Sequence, residues 1–134
     1  MAAETRYLSL PDIVALHDAV MPHFGQVAGS LRDEGALESA INRPTMAAYY
    51  EGAELIQQAV LLAIGISLAQ AFVDGNKRTA YLALRVFLEL NGLAFIGKPL
   101  ELARWLEAAS LDSRNPTLQS DFTAWLRGQV TPIG

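Results

Sequence analysis

The sequence contains no cysteine, so neither a disulfide framework nor a thiolate site can form. This absence agrees with a protein of the reducing cytosol, where disulfides are rare. The N-terminal segment also lacks the basic start and long apolar run of a secretory signal peptide. We therefore expect a cytoplasmic protein.

Long apolar segments and excess positive charge are missing as well. The one candidate for a membrane segment, residues 59–69, is too short to span a bilayer and has glutamine on both sides. The formal net charge of −4 has the wrong sign for a general nucleic-acid-binding protein, which needs a basic surface to displace counterions. We expect no membrane insertion and no direct contact with nucleic acid.

The sequence is rich in apolar residues at helical spacing. Hydrophobic residues make up 51% of the 134 residues, which is enough for one domain, 1–134, with a substantial core. Stretches whose apolar residues recur three and four positions apart alternate with capping signals and prolines. The pattern predicts an all-α fold, a compact bundle of about six helices.

Capping residues and prolines predict where these helices lie. The first begins at Ser9-Leu10-Pro11-Asp12 and is ended by Met21-Pro22-His23-Phe24-Gly25, the second runs from about Asp33 to Arg43, and the third from about Ala53 to Ala69. The fourth begins close to Asn76 and ends at Asn91-Gly92, the fifth begins at Pro99, and the last begins at Asn115-Pro116 and ends before Gly128. The second helix is expected to stop before Pro44, because proline disfavours the helical conformation of the preceding residue. Residues 44–53 then form a connection, and residues 93–97 a short β-prone one.

A polar stretch joins the third and fourth helices, which are both strongly apolar. It is Phe72-Val73-Asp74-Gly75-Asn76-Lys77-Arg78-Thr79-Ala80, called here the motif segment. Gly75 lets an anion approach closely, beside the unpaired amides that open the next helix. Lys77 and Arg78 supply cations suited to phosphate oxygens. Asp74 is a hard oxygen ligand of the kind that Mg²⁺ on a nucleotide requires.

The same residues also fit a plain turn. In that interpretation Asp74-Gly75-Asn76 reverses the chain, Asn76 caps the following helix, and Lys77 and Arg78 lie on a solvated face. Spacing alone leaves both interpretations open, since short motifs often match by accident.

The motif segment closely resembles the signature loop of the Fic/Doc superfamily, and its Lys-Arg-Thr-Ala ending resembles the Doc (death-on-curing) toxin branch. Matching sequence extends over most of the chain up to about residue 110. It includes Leu16-His17-Asp18, Leu31-Arg32-Asp33, Leu37-Glu38-Ser39-Ala40-Ile41 and Phe87-Leu88-Glu89-Leu90-Asn91-Gly92. The resemblance implies a helical bundle that holds the motif segment between two central helices.

The resemblance also implies an activity. A protein of this branch would be the toxin of a toxin–antitoxin pair, transferring the γ-phosphate of ATP to a threonine of elongation factor Tu and stopping translation. Its partner would be a Phd-like antitoxin. Asp74 would hold Mg²⁺ and, with Lys77 and Arg78, belong to the catalytic group. The amides of the following helix would bind the phosphates, together with Gly75, Asn76, Lys77 and Arg78.

One position departs from the family pattern. The family carries a histidine two residues before the phenylalanine, and this sequence has Gln70 there. Histidine would take the proton from the attacking hydroxyl, whereas a glutamine amide has no usable basicity near neutral pH. We expect nucleotide binding to persist and transfer to be strongly impaired. The alternatives are a catalytically silent protein that binds nucleotide or antitoxin, and an adenylyltransferase, which Lys77 and Tyr81 disfavour because that branch carries glycine and arginine there.

Several other residues allow two interpretations. His17 lies on the apolar stripe of the first helix and is expected to be a hydrogen-bonded core residue rather than a ligand. Tyr49 and Tyr50 either resemble the superfamily's flap, which aligns a protein substrate, or cap the core. The remaining expectations are a loop position without a readable role for His23, a surface pair for Arg85 and Glu89, and core anchors for Trp105 and Trp125.

Overall fold

A computed structural model describes residues 4–21 and 31–134. Within these two ranges the chain forms six α-helices and two short strands. They are α1 (Leu10–Val20), α2 (Glu34–Glu51), α3 (Leu55–Ala69), α4 (Asn76–Leu90), β1 (Leu93–Phe95), α5 (Pro99–Leu111), α6 (Pro116–Arg127) and β2 (Val130–Pro132). The predicted all-α bundle is confirmed. None of the described helices combines the length and apolar character needed to cross a membrane.

Helix α3 forms the centre of the bundle. Every residue from 58 to 67 is buried, because the helix is apolar on nearly every side and packs mainly between α2 and α4. Gly65 lets α2 come close, since a Cβ atom there would lie 3.3 Å from the Cβ atom of Ala40. The motif segment follows directly from α3 into α4. It therefore lies between two central helices, as the sequence predicts.

Helix α1 begins with the predicted capping box. The Ser9 hydroxyl accepts a hydrogen bond from the Asp12 amide at 3.3 Å, and the Asp12 carboxylate accepts one from the Ser9 amide at 2.8 Å. The Ser9 amide hydrogen bond holds the pKa of the exposed Asp12 carboxyl below its usual range. The capping box fixes the first turn of α1, the helix that carries His17.

The prediction for the end of α2 was wrong. The helix continues through Pro44 to Glu51 and ends at Gly52, which has φ 65 and caps it in the left-handed conformation. Pro44 is buried on the same face as Ala40 and Ala47, so core packing compensates for the hydrogen bond that proline cannot donate. Residues 44–51 are therefore helical rather than a connection.

Strands β1 and β2 pair antiparallel, with Leu93 opposite Pro132 and Phe95 opposite Val130. The β-prone connection is confirmed, whereas β2 was not predicted. Its proline is tolerated because this two-stranded sheet consists of edges. Trp105 and Trp125 are half-buried, with ring centroids 5.8 Å apart, and anchor α5 to α6 as expected.

The expected pair of Arg85 and Glu89 is absent from the ion pairs among the described residues. The Arg85 guanidinium instead lies 5.4 Å from the ring centroid of Phe95 and 3.4 Å from the Tyr81 hydroxyl. A partly buried contact with an aromatic face competes well with an exposed ion pair, which contributes little. The prediction was therefore wrong because β1 brings Phe95 to this face of α4.

Candidate functional site

The chain leaves α3 through a strained residue. Gln70 caps α3 in the left-handed conformation, with φ 48, and no other non-glycine residue in the described ranges has a positive φ. Such backbone strain is uncommon outside glycine and clusters at functional sites. The strained residue stands at the position where the family pattern has its histidine.

The segment before α2 holds this turn in place. The amides of Arg32 and Asp33 both donate to the Ala71 carbonyl, at 2.8 and 3.2 Å. The Arg32 Nε atom donates to the Gln70 carbonyl at 3.2 Å, and the Gln70 side-chain amide donates to the Ser67 carbonyl at 2.7 Å. Arg32 is thus a site residue that the sequence analysis did not single out.

Asn76 closes the turn from the other side. Its Oδ1 atom accepts a hydrogen bond from the Phe72 amide at 3.0 Å, and its Nδ2 atom donates to the Phe72 carbonyl at 2.9 Å. The Asn76 side chain is buried and so is Phe72. The plain-turn interpretation placed Asn76 at the N-cap, which is wrong in that detail because Gly75 occupies the N-cap and Asn76 is the first helical residue.

The N-terminus of α4 is open as far as the described part of the chain goes. No side chain there caps it, and the first helical amide with a backbone acceptor is that of Thr79, which donates to the Gly75 carbonyl at 2.9 Å. The amides of residues 76–78 therefore keep the donors and the positive end of the helix dipole that an anion site needs. Gly75 has φ 80, a left-handed conformation that favours glycine, and a Cβ atom there would also lie 2.8 Å from the Met21 sulfur.

These elements enclose a cleft of about 440 Å³. It is lined by Met21, Gln70, Val73, Asp74, Gly75, Asn76, Lys77 and Arg78. All six site residues predicted from the sequence thus line one cavity. The side chains of Gln70, Asp74, Lys77 and Arg78 are exposed to solvent, while Asn76 contributes its backbone and is otherwise used inside the turn.

The donor set of the cleft fits a magnesium ion carried by a nucleotide. Asp74 is exposed, and its Oδ1 atom accepts a hydrogen bond from the Gly75 amide at 2.7 Å. No group of three or more acidic or histidine side chains suited to a metal occurs in the described ranges. A single carboxylate matches Mg²⁺, which keeps several waters and takes its remaining ligands from substrate phosphates.

Two cations stand at the edge of the cleft. Lys77 lies 3.5 Å from the Glu107 carboxylate, and both side chains are more than half exposed. Such a pair contributes little to stability, so Lys77 can turn to a phosphate group at small cost.

An apolar groove, also of about 440 Å³, continues from Lys77 and Arg78 between α1, α4 and α5.

His17 contacts the motif segment from behind. Its side chain is 2% exposed, its Nε2 atom lies 2.8 Å from the Asp74 carbonyl oxygen, and its ring stacks on that of Phe72 at 3.9 Å. The predicted hydrogen-bonded core histidine is confirmed. His23 lies outside the described residues.

Tyr49 and Tyr50 are placed on the last turn of α2. They are 80% and 70% exposed, with ring centroids 4.7 Å apart, so they do not cap the core. Neither residue lines the cleft beside the motif segment. The flap interpretation expected both tyrosines in a connection between helices, whereas both lie in a helix.

Comparison with known proteins agrees with this geometry. Residues 7–88, which include the residues that line the cleft, match the Fic/DOC family. The chain belongs to the Fic/DOC family. It is 33% identical to protein kinase doc of Escherichia phage P1 over 99 residues, which span 73% of this chain and 77% of that protein. It is also 40% identical to toxin Doc of Mycolicibacterium smegmatis over 65 residues, 47% of this chain and 50% of that protein.

Proposed function

We propose that this Fic/DOC protein is a Doc-type toxin of a toxin–antitoxin pair, acting in the cytoplasm and impaired at one residue. The observation that carries the proposal is the open N-terminus of α4, which meets Lys77, Arg78 and Asp74 in the cleft that Gln70 also lines. The similar proteins named as a kinase and as a toxin support the same conclusion. The substrate is ATP with Mg²⁺.

The reaction would move the γ-phosphate of ATP to a threonine hydroxyl of elongation factor Tu. The hydroxyl oxygen bonds to phosphorus, the bond to the bridging oxygen breaks, ADP leaves with that electron pair, and the hydroxyl proton goes to a base. The α4 amides with Lys77 and Arg78 would bind the phosphates and neutralise developing charge. Asp74 would hold Mg²⁺, which supplies further charge neutralisation when bound.

Gln70 decides how well this chain can run that reaction. Its amide cannot accept the hydroxyl proton near neutral pH, so water would have to do so. Its side chain is already hydrogen-bonded to the Ser67 carbonyl, and the cleft around it is intact. That arrangement also supports the second candidate, a catalytically silent protein that binds nucleotide or antitoxin. Adenylylation is less favoured, because half-buried Tyr81 stands where that branch carries arginine.

Nucleotide binding tests the proposal. Isothermal calorimetry of the native chain with ATP and Mg²⁺ is expected to show weak binding, since charge and helix amides do not depend on residue 70. The Lys77→Ala/Arg78→Ala variant should bind at least about tenfold more weakly, because each charge-assisted hydrogen bond contributes about 1.5 kcal/mol or more. Lys98→Ala/Arg114→Ala, which removes two exposed cations outside the cleft, is the matched control. Equal heats for all three proteins would contradict the phosphate site.

The antitoxin is proposed to cover the cleft and the apolar groove beside it. The groove is lined by Val20, Lys77, Arg78, Tyr81, Leu82, Ala103, Leu106 and Glu107. A disordered tail that folds into an amphipathic helix on binding would place its apolar face there. The two exposed cations of the cleft edge would attract acidic residues of the same tail.

Co-expression tests this partner. The chain produced with the protein of the adjacent open reading frame is expected to form a complex that survives gel filtration. Leu82→Glu should disrupt the complex because it puts a charge into the apolar groove. Leu111→Glu, at an exposed leucine outside the groove, is the control and should leave the complex intact. A complex equally tolerant of both substitutions would contradict this docking surface, and no complex at all would contradict the antitoxin.

A further inference from the structure

We infer that His17 is a positioning residue that fixes Asp74, through the Asp74 main-chain carbonyl, for binding of nucleotide-bound magnesium. The inference rests on the proposed function in that Asp74 is taken as the magnesium ligand. His17 lies on α1, 57 residues before Asp74 in the sequence. Its role would be exerted entirely through the motif segment.

His17 makes two close contacts with the motif segment. Its Nε2 atom is 2.8 Å from the Asp74 carbonyl oxygen, which can only accept, so Nε2 carries the proton. Its ring lies nearly parallel to that of Phe72, with an interplanar angle of 4°. A Cβ atom on Gly75 would lie 3.4 Å from the ring carbon Cδ2 of His17. One imidazole thus contacts two residues of the turn and lies beside a third.

The choice of histidine here has a cost that packing alone does not explain. Among residues 4–21 and 31–134, the buried Nδ1 atom has no hydrogen-bond partner, and the nearest carboxylate oxygen, on Asp18, is 3.8 Å away. An unsatisfied buried polar atom is destabilising, and an apolar ring in the same place would avoid that cost. What histidine provides in return is the Nε2 donor, which forms a hydrogen bond to the Asp74 carbonyl.

Asp74 is fixed at two points. His17 holds its carbonyl, and the Gly75 amide donates to its carboxylate at 2.7 Å. Both hydrogen bonds involve the Asp74–Gly75 peptide group. Gly75 has φ 80 and, as a glycine, has wide conformational freedom when its neighbours do not constrain it. Without the His17 hydrogen bond, this peptide can rotate and carry the carboxylate away from the α4 N-terminus. Partners that orient a metal ligand commonly change metal affinity about 10- to 100-fold.

Two substitutions separate the donor from the ring. His17→Phe keeps a flat ring for stacking on Phe72 but removes the donor, whereas His17→Gln keeps an N–H donor and removes the ring. Calorimetry measures ATP affinity with and without Mg²⁺ for each chain. His17→Phe is expected to lose about tenfold or more of the affinity gained with Mg²⁺. The affinity of His17→Phe for ATP alone should equal that of the native chain. His17→Gln should keep the full magnesium gain, the increase in ATP affinity that Mg²⁺ brings.

Hydrogen exchange gives a second readout that needs no nucleotide. The amides of residues 73–78 are expected to exchange faster in His17→Phe and at native rates in His17→Gln. Should His17→Phe not fold, His17→Met fills the same space without a donor and replaces it in both measurements.

The outcomes are distinguishable. Native magnesium gain and native exchange rates in His17→Phe would overturn the inference and leave the proposed function standing. An equal loss of affinity with and without Mg²⁺ would indicate a general structural role and would also overturn it. A native chain that binds no ATP under either condition would overturn the proposed function and, with it, the role assigned to His17.

Discussion

Replacing Gln70 with histidine is expected to raise the rate of phosphate transfer from ATP to elongation factor Tu at least about 100-fold. A positioned general base contributes about 10²- to 10⁴-fold, or roughly 3 to 5 kcal/mol of barrier. Position 70 already lines the cleft with Asp74, Lys77 and Arg78, and Arg32 holds its carbonyl. Histidine also tolerates the left-handed conformation found there better than most residues. The substitution therefore adds a base to a site that is otherwise assembled.

Initial rates with ATP labelled in the γ-phosphate provide the measurement. The native chain should show barely detectable transfer, because phosphoryl transfer depends heavily on positioning and charge, which remain. Gln70→Asn is the matched control, since it changes the side chain without adding basicity, and it should stay at the native rate. If Gln70→His is as slow as the native chain, the defect lies elsewhere and the silent binding protein becomes the better account.

Asn76→Ala is expected to lower the free energy of unfolding by about 2 to 4 kcal/mol. The substitution removes both hydrogen bonds to Phe72 and leaves a buried amide and a buried carbonyl without partners. Asn76→Asp keeps the acceptor for the Phe72 amide but sets a carboxylate oxygen against the Phe72 carbonyl, so it should also lower the free energy of unfolding.

Urea unfolding measures these differences from the transition midpoint and slope. Asn42→Ala, at an exposed asparagine on α2, is the control and should change stability by no more than about 0.5 kcal/mol. An Asn76→Ala variant as stable as Asn42→Ala would show that the Phe72 contacts do not stabilise the turn.

Apolar spacing predicted the central helices because the positions of their buried residues can be identified from the local sequence alone. The unbroken apolar run of α3 and the three-and-four spacing of α4 need no knowledge of distant residues. The same spacing continues through α2 at Leu37, Ala40, Pro44 and Ala47, all of which are buried. Treating Pro44 as a stop overlooked this periodicity, which outweighs one missing hydrogen bond when the face is buried.

Most residues of the cleft could be predicted from the motif segment and the family pattern around it, but Met21 and the hydrogen bonds that shape the cleft could not. Arg32 reaches Gln70 across 38 residues and His17 reaches Asp74 across 57. Such contacts depend on how α1 and the start of α2 pack against the turn, and local spacing does not encode that packing. The hydrogen bonds of the Asn76 side chain to Phe72 have the same origin.

Growth after induced expression tests most directly whether this chain is a toxin silenced by the loss of one base. Cells producing the native chain or Gln70→Asn are expected to grow, while cells producing equal amounts of Gln70→His should stop growing soon after induction. The same arrest should be relieved by co-production of the antitoxin. Normal growth of cells that contain folded Gln70→His at the native level would contradict the account.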